Sequence, residues 1–318
     1  MPEDERSDVP GVAAEKPAEI PAAGWWQIVK RAWAEAKADQ VPLLAAGVAF
    51  FGFLSLFPAV VAAVMAYGLL ADPAQIRRQA QDLAAAVPES ARELLLQQID
   101  ALTSAPRQSL GIGVIIAVAT ALWSASGGVG YLVTAVNLAY DEEENRGFVR
   151  RKLLSLGMTL GAIVFVLLTI GLFAVGAAIT DGVPTVIRIL LEGARLLVAV
   201  LLIMVALAIT YRLGPARDAP RLRWVSVGAI VATVIWLIAS IGFSVYVATF
   251  GNYAKTYGSL AAVVVLMLWL WLTAYAILLG AEINAESEEQ TARDTTKGPE
   301  QPIGERGAVK ADSVPSKS

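Results

Sequence analysis

The sequence predicts an all-α polytopic membrane protein: a six-transmembrane-helix bundle with an N-terminal interfacial amphipathic helix and two short outer amphipathic helices. Three observations carry this expectation. With 318 residues, 56% hydrophobic and only 17% charged, the chain has too little polar surface to cover a soluble globule of its size. Uncharged apolar runs recur along it, at or above the roughly 20 residues that cross a bilayer. Between them lie polar turns and stretches whose apolar residues fall at helical spacing.

Residues 1–23 are rich in Pro, Ala and acidic groups, and are expected to be disordered because they bury too little apolar area to offset ordering. They contain no apolar core of signal-peptide type, so no cleavage is expected. The membrane domain is placed at 24–285. Over 25–38, Trp26, Val29, Trp33 and Ala36 share a helical stripe beside Trp25, with Lys30, Arg31 and Lys37 available to lipid headgroups. This segment is expected to lie in the interface, the alternative being a short soluble helix packed on the bundle.

The first span, 43–70, is longer than a hydrocarbon core requires. Within it Pro58 lacks the N–H that would bond the Leu54 carbonyl, so a kink is expected, with the Ser55 hydroxyl near enough to resolvate the turn. After the start signal Asp72-Pro73, Ile76, Ala80, Leu83 and Val87 form one stripe; past Pro88, Ala91, Leu95, Ile99 and Leu102 form another. These are the outer helices, and their charges read as a solvated face. Span two, 110–136, contains the small-residue run WSASGGVG (123–130), expected to allow close helix approach, or else an unwound turn. Spans three to six are placed at 153–179, 187–211, 225–250 and 259–281. The polar, Pro-containing stretch 286–318 is expected to be a disordered cytoplasmic tail. No internal repeat is visible, so inverted symmetry of the kind found in many transporters lends no support.

Basic residues set the orientation. Lys30, Arg31 and Lys37, then Arg146, Arg150, Arg151 and Lys152, then Arg212, Arg217, Arg221 and Arg223 would share one side, outnumbering Arg77, Arg78, Arg92, Arg107, Arg188 and Lys255 on the other. Both termini are therefore expected to be cytoplasmic. The chain has no Cys and no His, which removes disulfides, thiolate nucleophiles, imidazole chemistry and the common zinc sites. A net charge of −3 argues against a nucleic-acid partner, which needs a basic face. No metal and no cofactor is expected.

Charges within or at the ends of spans are the candidate functional residues, because a charge at such depth must be paired, hydrated or used. Glu282 closes the last span, and Arg212, at the end of span four, is the partner expected for it. Glu192 and Arg195 lie three apart on one helical face and are expected to pair, either lining a polar cavity or sitting in the outer interface. The turn 250–258 offers Lys255 and Tyr257 to an anionic headgroup, although such turns are most often only turns. In the acidic loop 137–146 the ligand spacing and central glycine of a calcium hand are missing, so a solvated loop with Glu142 paired to Arg146 is expected.

Four stretches give the chain a resemblance: AFFGFLSLFP (49–58), NLAYDEEENRGFVRRKLLSLGMTLG (137–161), YRLGP (211–215) and YGSLAAVVVLMLWLWLTAYAILLGAEIN (257–284). Together they are similar to the YihY/BrkB family of bacterial inner-membrane proteins, over nearly all of 25–285. The resemblance implies six membrane spans and a bacterial plasma-membrane location, and it implies no settled activity. Some members have carried the label ribonuclease BN. That label fits poorly here, since catalytic His and Cys, a compact acidic metal site and a basic groove for RNA are all missing from the sequence.

The expected function is transport of an amphiphilic or lipid-linked envelope substrate, with membrane lipids as partners. Glu192, Arg195, Arg212 and Glu282 are its polar contacts, Lys255 and Tyr257 stand at the outer mouth, and Pro58 is the bend. The alternative is a non-transporting scaffold for cell-envelope assembly. An enzyme would need a catalytic constellation that the sequence does not display.

Overall fold

Helix punctuation in the sequence explains where each element begins and ends. The computed structural model describes residues 9–70, 110–180, 183–249 and 259–314. A single 3-10 turn, Pro17–Glu19, leads into α1 (Ala22–Ala38), which starts directly after Pro21 and stops where Gln40 takes a φ of 53°. Then come α2 (Val41–Leu70), α3 (Leu110–Ala139), α4 (Phe148–Thr180), α5 (Thr185–Leu213), α6 (Leu222–Thr249) and α7 (Ser259–Glu289). Pro184 precedes α5, and Pro215, which has no N–H to continue the ladder, stops it just past Gly214. All six helices from α2 to α7 are long and apolar enough to cross a membrane.

The chain divides into two compact units. One comprises Met1–Phe53 and Gly128–Ser318; the other comprises Leu54–Gly127. In the smaller unit Pro58 lies inside α2, and on α3 Thr120 Oγ1 donates to the Ile116 carbonyl at 2.8 Å. The unit boundary on α2 falls at Leu54, the residue whose carbonyl loses its donor to Pro58.

In the larger unit the buried residues collect at one end of the bundle. Val41 and Ala45 of α2, Val136 of α3, Tyr211 of α5, Val225 and Ala229 of α6, and Leu278 and Ala281 of α7 form the main core. A second cluster joins Ile28 and Ala32 of α1 to Trp224 of α6 and Ile283 of α7. α6 and α7 cross backbone to backbone. A Cβ placed on Gly228 would stand 2.0 Å from the Gly280 carbonyl oxygen, and one on Gly280 would stand 2.6 Å from that of Gly228. Asn284 fastens the crossing by accepting from the Gly228 N–H at 2.6 Å. Away from this end the helices turn apolar side chains outward, as Val186, Leu190, Leu196 and Leu197 do on α5. Such faces suit lipid tails rather than water.

Several expectations are corrected by this arrangement. In α1 the packed face is Gly24, Ile28, Ala32 and Ala36; Trp26, Val29 and Trp33 of the expected interfacial stripe face outward, and the helix also packs on the bundle, taking Ala36 inward. In the small-residue run of α3 an added Cβ at Gly130 would stand 3.5 Å from Ser155 Oγ of α4, an ordinary contact, and one at Gly127 meets nothing within 4 Å among the described residues. The tightest approach is at Gly228 and Gly280. The stretch from 286 is no disordered tail: α7 continues to Glu289, and residues 290–314 fold back over the end of the bundle. Nor are residues 9–21 loose, since Val9, Ala14 and Ile20 are buried. Composition misjudged both segments because their anchoring is mainly polar. Thr291 Oγ1 donates to the Ala14 carbonyl at 2.6 Å, and the Ala292 N–H donates to Val12 at 2.8 Å. The buried Arg306 guanidinium donates to the carbonyls of Ala292, Arg293, Gln301 and Ala311. Both terminal segments thus pack together on one end, called the capped end below. The two expected outer helices over 72–108 lie outside the described residues.

Candidate functional site

The last turns of α7 carry a cluster of buried carboxylates. Glu282, Glu286 and Glu289 repeat at four and three residues, which places them on one helical face. Asn284 and Glu288 repeat at four and occupy a different face. Glu282, Glu286 and Glu288 are each no more than 1% exposed. Carboxylates so deep need partners, and the fold brings them from elements distant in sequence.

Arg31 of α1 donates from Nε to Glu286 at 2.5 Å and from Nη2 to Gln290 at 2.8 Å. From the far side Lys310 brings its ammonium to 2.7 Å from Glu286, 2.9 Å from Asp141 and 3.3 Å from Glu289. Burial alone would depress the Lys310 ammonium, but the field of Glu286 and the hydrogen bonds to Glu286 and Asp141 outweigh it and hold its pKa well above the ordinary range. Asp39, at the end of α1, is pushed upward by burial and then by Asp141 and Glu35. On the second face, Arg217 clasps Glu288 with two bonds of 2.6 and 3.0 Å, while its guanidinium lies 4.4 Å from the centre of the Tyr140 ring. Thr295 Oγ1 adds a third donor to Glu288 at 2.8 Å.

Asp141 owes its position to the way α3 stops. The Glu142 N–H bonds the Asn137 carbonyl at 2.9 Å and the Asp141 N–H bonds that of Leu138 at 2.9 Å, the paired pattern of a Schellman ending. Asp141 therefore sits at φ 55°, where glycine is the locally preferred residue. Its carboxylate faces Lys310 from there.

Glu282 does not pair with Arg212. Its Oε1 has no hydrogen-bond partner, and its charged surroundings are Asp39, Lys310, Glu286 and Glu35. Arg212 is half-buried and makes no ion pair with it. The cation whose field reaches Glu282, Lys310, lies on the segment expected to be a free tail, and its ion pairs go to Asp141, Glu286 and Glu289 instead. Glu192 and Arg195 do pair on α5, and Arg195 also lies 4.8 Å over the Phe173 ring of α4. Both remain partly exposed, at 33% and 19%. In the acidic loop Arg146 holds Glu144 rather than Glu142, and donates to the carbonyls of Leu213 and Gly214 at 3.3 and 2.8 Å. Glu142 accepts instead from the Val309 N–H at 2.8 Å. Arg31, expected at lipid headgroups, points inward. Lys255 and Tyr257 lie outside the described residues, and Pro58 belongs to the smaller unit. The Glu282, Glu286 and Glu289 spacing was the available signal for the cluster; nothing local in the sequence marks Lys310. Among the described residues no group of acidic side chains has the geometry to hold a metal ion.

A family model described as "Virulence factor BrkB" matches residues 32–304. The chain belongs to the BrkB family. It is 33% identical over 248 residues to the ribonuclease-like protein YfkH of Bacillus subtilis (strain 168), covering 76% of this chain and 87% of that one. It is 32% identical over 186 residues to the UPF0761 membrane protein VP0125 of Vibrio parahaemolyticus, covering 54% and 57% of the two chains. With the UPF0761 membrane protein MADE_1017605/MADE_1018330 of Alteromonas mediterranea it shares 38% identity over 120 residues, 37% of this chain and 38% of the other. No solved structure matches. The BrkB match includes α7 to its end and the segment beyond it up to Gly304, so the expected free tail falls largely within it, while Lys310 lies past its limit.

Proposed function

We propose that this BrkB-family membrane protein moves or exposes an amphiphilic, lipid-linked substrate in the bacterial inner membrane, with both termini cytoplasmic. The observation that carries the reading is the Glu192–Arg195 pair, a charged couple left partly open on a membrane-length helix whose other charges, Arg188 and Arg212, fall in its first and last turns. A pair with only a structural task would be expected to be sealed, as Arg217 and Glu288 are, with side chains 1% and 0% exposed. Exposed apolar residues beside the pair, including Leu191 and Leu196, suit an acyl chain, and the pair itself suits a polar head. The bend expected at Pro58, the outer-mouth groups Lys255 and Tyr257, and the inner charges Arg212 and Glu282 are the further parts of this reading. The ribonuclease-like name of YfkH is not carried over, because a chain without His or Cys offers no conventional general base of that kind.

The test is reconstitution in vesicles with a headgroup-labelled phospholipid and an impermeant quencher. Wild type should expose inner-leaflet label, and Arg195→Ala and Glu192→Gln should slow it about tenfold, the loss of one charge-assisted contact. Unchanged rates in folded variants would remove the pair from the mechanism. The second reading, a scaffold for envelope assembly, draws on the folded polar cap built from both terminal segments. It predicts no label exposure by wild type under any lipid composition.

A further inference from the structure

Lys310 fills its surroundings in the way a ligand would. An ammonium has three N–H donors, and three carboxylates from three parts of the chain take them: Asp141 from the end of α3, Glu286 and Glu289 from α7. Counting Asp39 and Glu282, the acidic side chains in this neighbourhood exceed the cations facing them, Lys310 and Arg31. The resident also leaves capacity unused, since Glu282 is 1% exposed and its Oε1 receives no donor. A buried acceptor without a donor is costly, and a bound group with further donors would relieve that cost.

We propose that Asp141, Glu286 and Glu289, with Glu282 beside them, form a binding site for a primary alkylammonium group, kept occupied by Lys310 of the chain's own C-terminal segment. The contact distances of 2.7 to 3.3 Å are those of N–H to oxygen bonds. Divalent cations would need oxygen ligands at about 2.0–2.6 Å. A quaternary ammonium has no N–H to offer. Asp141 accepts a backbone conformation for which glycine is better suited, which is reasonable if its carboxylate is needed at this point. Lys310 arrives on an irregular segment held by polar contacts rather than on a bundle helix, so the occupant can be exchanged without unpacking α1, α6 or α7. The primary ammonium could come from the ethanolamine headgroup of a phospholipid or from a free amine. This proposal does not depend on the transport reading.

The experiment uses the full chain in micelles. Lys310→Ala should lower the thermal midpoint, and ethylammonium chloride should restore it with a saturable dose response. Tetramethylammonium and sodium chloride at the same ionic strength should not. In the Lys310→Ala background, Asp141→Gly supplies the residue the helix ending prefers while removing one carboxylate; it should weaken the ethylammonium response about tenfold. Reconstitution of Lys310→Ala into phosphatidylethanolamine or phosphatidylcholine vesicles separates the two sources. Stabilisation by the ethanolamine lipid alone assigns the headgroup, and rescue only by added ethylammonium assigns a free amine. Should Lys310→Ala not fold, wild type remains usable, because ethylammonium but not tetramethylammonium should accelerate hydrogen exchange across residues 304–312. Rescue or acceleration that is absent, or equal for tetramethylammonium, overturns the proposal and leaves Lys310 as a fastening of the C-terminal segment.

Discussion

Gly280 and Arg217 show how single residues set the capped end. Gly280 has the Tyr211 hydroxyl, the Gly228 carbonyl and the Ala232 methyl at 2.5, 2.6 and 2.7 Å from the place where a Cβ would stand. Gly280→Ala should therefore destabilise by about 1–3 kcal/mol, the range for overpacking a tight contact. Gly193, by contrast, has nothing within 4 Å of the same point. Gly193→Ala should leave the thermal midpoint unchanged or raise it slightly, since alanine is the better helix former by about 1 kcal/mol. Melting of both variants in one detergent decides between these signs. Arg217→Met leaves the Glu288 carboxylate buried with one donor, Thr295, and should cost about 3–5 kcal/mol. Arg217→Lys should recover only part of that loss, because an ammonium cannot reproduce the forked contact.

Among the elements, the loops at the capped end behave as clamps. Arg146 ties the 141–147 loop to the end of α5, and its bonds to Glu144 hold that carboxyl below its ordinary value. Asp294 is raised by burial but held lower overall by donors from Thr296 and Gln301. Both folded values lie below the unfolded ones, about 4.3 for Glu and 3.9 for Asp. The stability they contribute is thus full above those unfolded values and lost as pH falls through the folded ones. Hydrogen-exchange protection in residues 141–147 and 292–301 should fall on acidification below about pH 4, ahead of the α6–α7 crossing. Equal loss in all three regions would mean that the clamps are not independent of the core. The Lys310 ammonium has the opposite sense: its folded value is raised, so its contribution is full below the unfolded value of about 10.4 and fades only as pH rises through the folded one.

For the whole molecule, the packing of residues 9–14 against 291–292 brings the two described terminal segments together, which supports the proposal that both termini share one side of the membrane. The proposed cytoplasmic placement rests on the basic residues Arg146, Arg150, Arg151 and Lys152 together with Arg217, Arg221 and Arg223. Fusions of green fluorescent protein to each terminus should both fluoresce, and alkaline phosphatase fusions at the same sites should both be inactive. Opposite reporters at the two ends would refute the topology, and active phosphatase at both would invert it.

Long uncharged runs and the proline and glycine stops around them were sufficient to number the spans, because hydrocarbon length and backbone satisfaction act locally. The Glu192–Arg195 pair was legible for the same reason, since three residues on a helix are neighbours whatever surrounds them. What the tertiary structure alone decided is the capped end. There Arg31, Asp141, Arg217 and Lys310 converge on one end of α7, Arg31 reaching Glu286 from 255 residues away in the chain. No periodicity encodes such a meeting. A segment that composition describes as too polar to fold is ordered because the carboxylates it meets would otherwise be buried without partners.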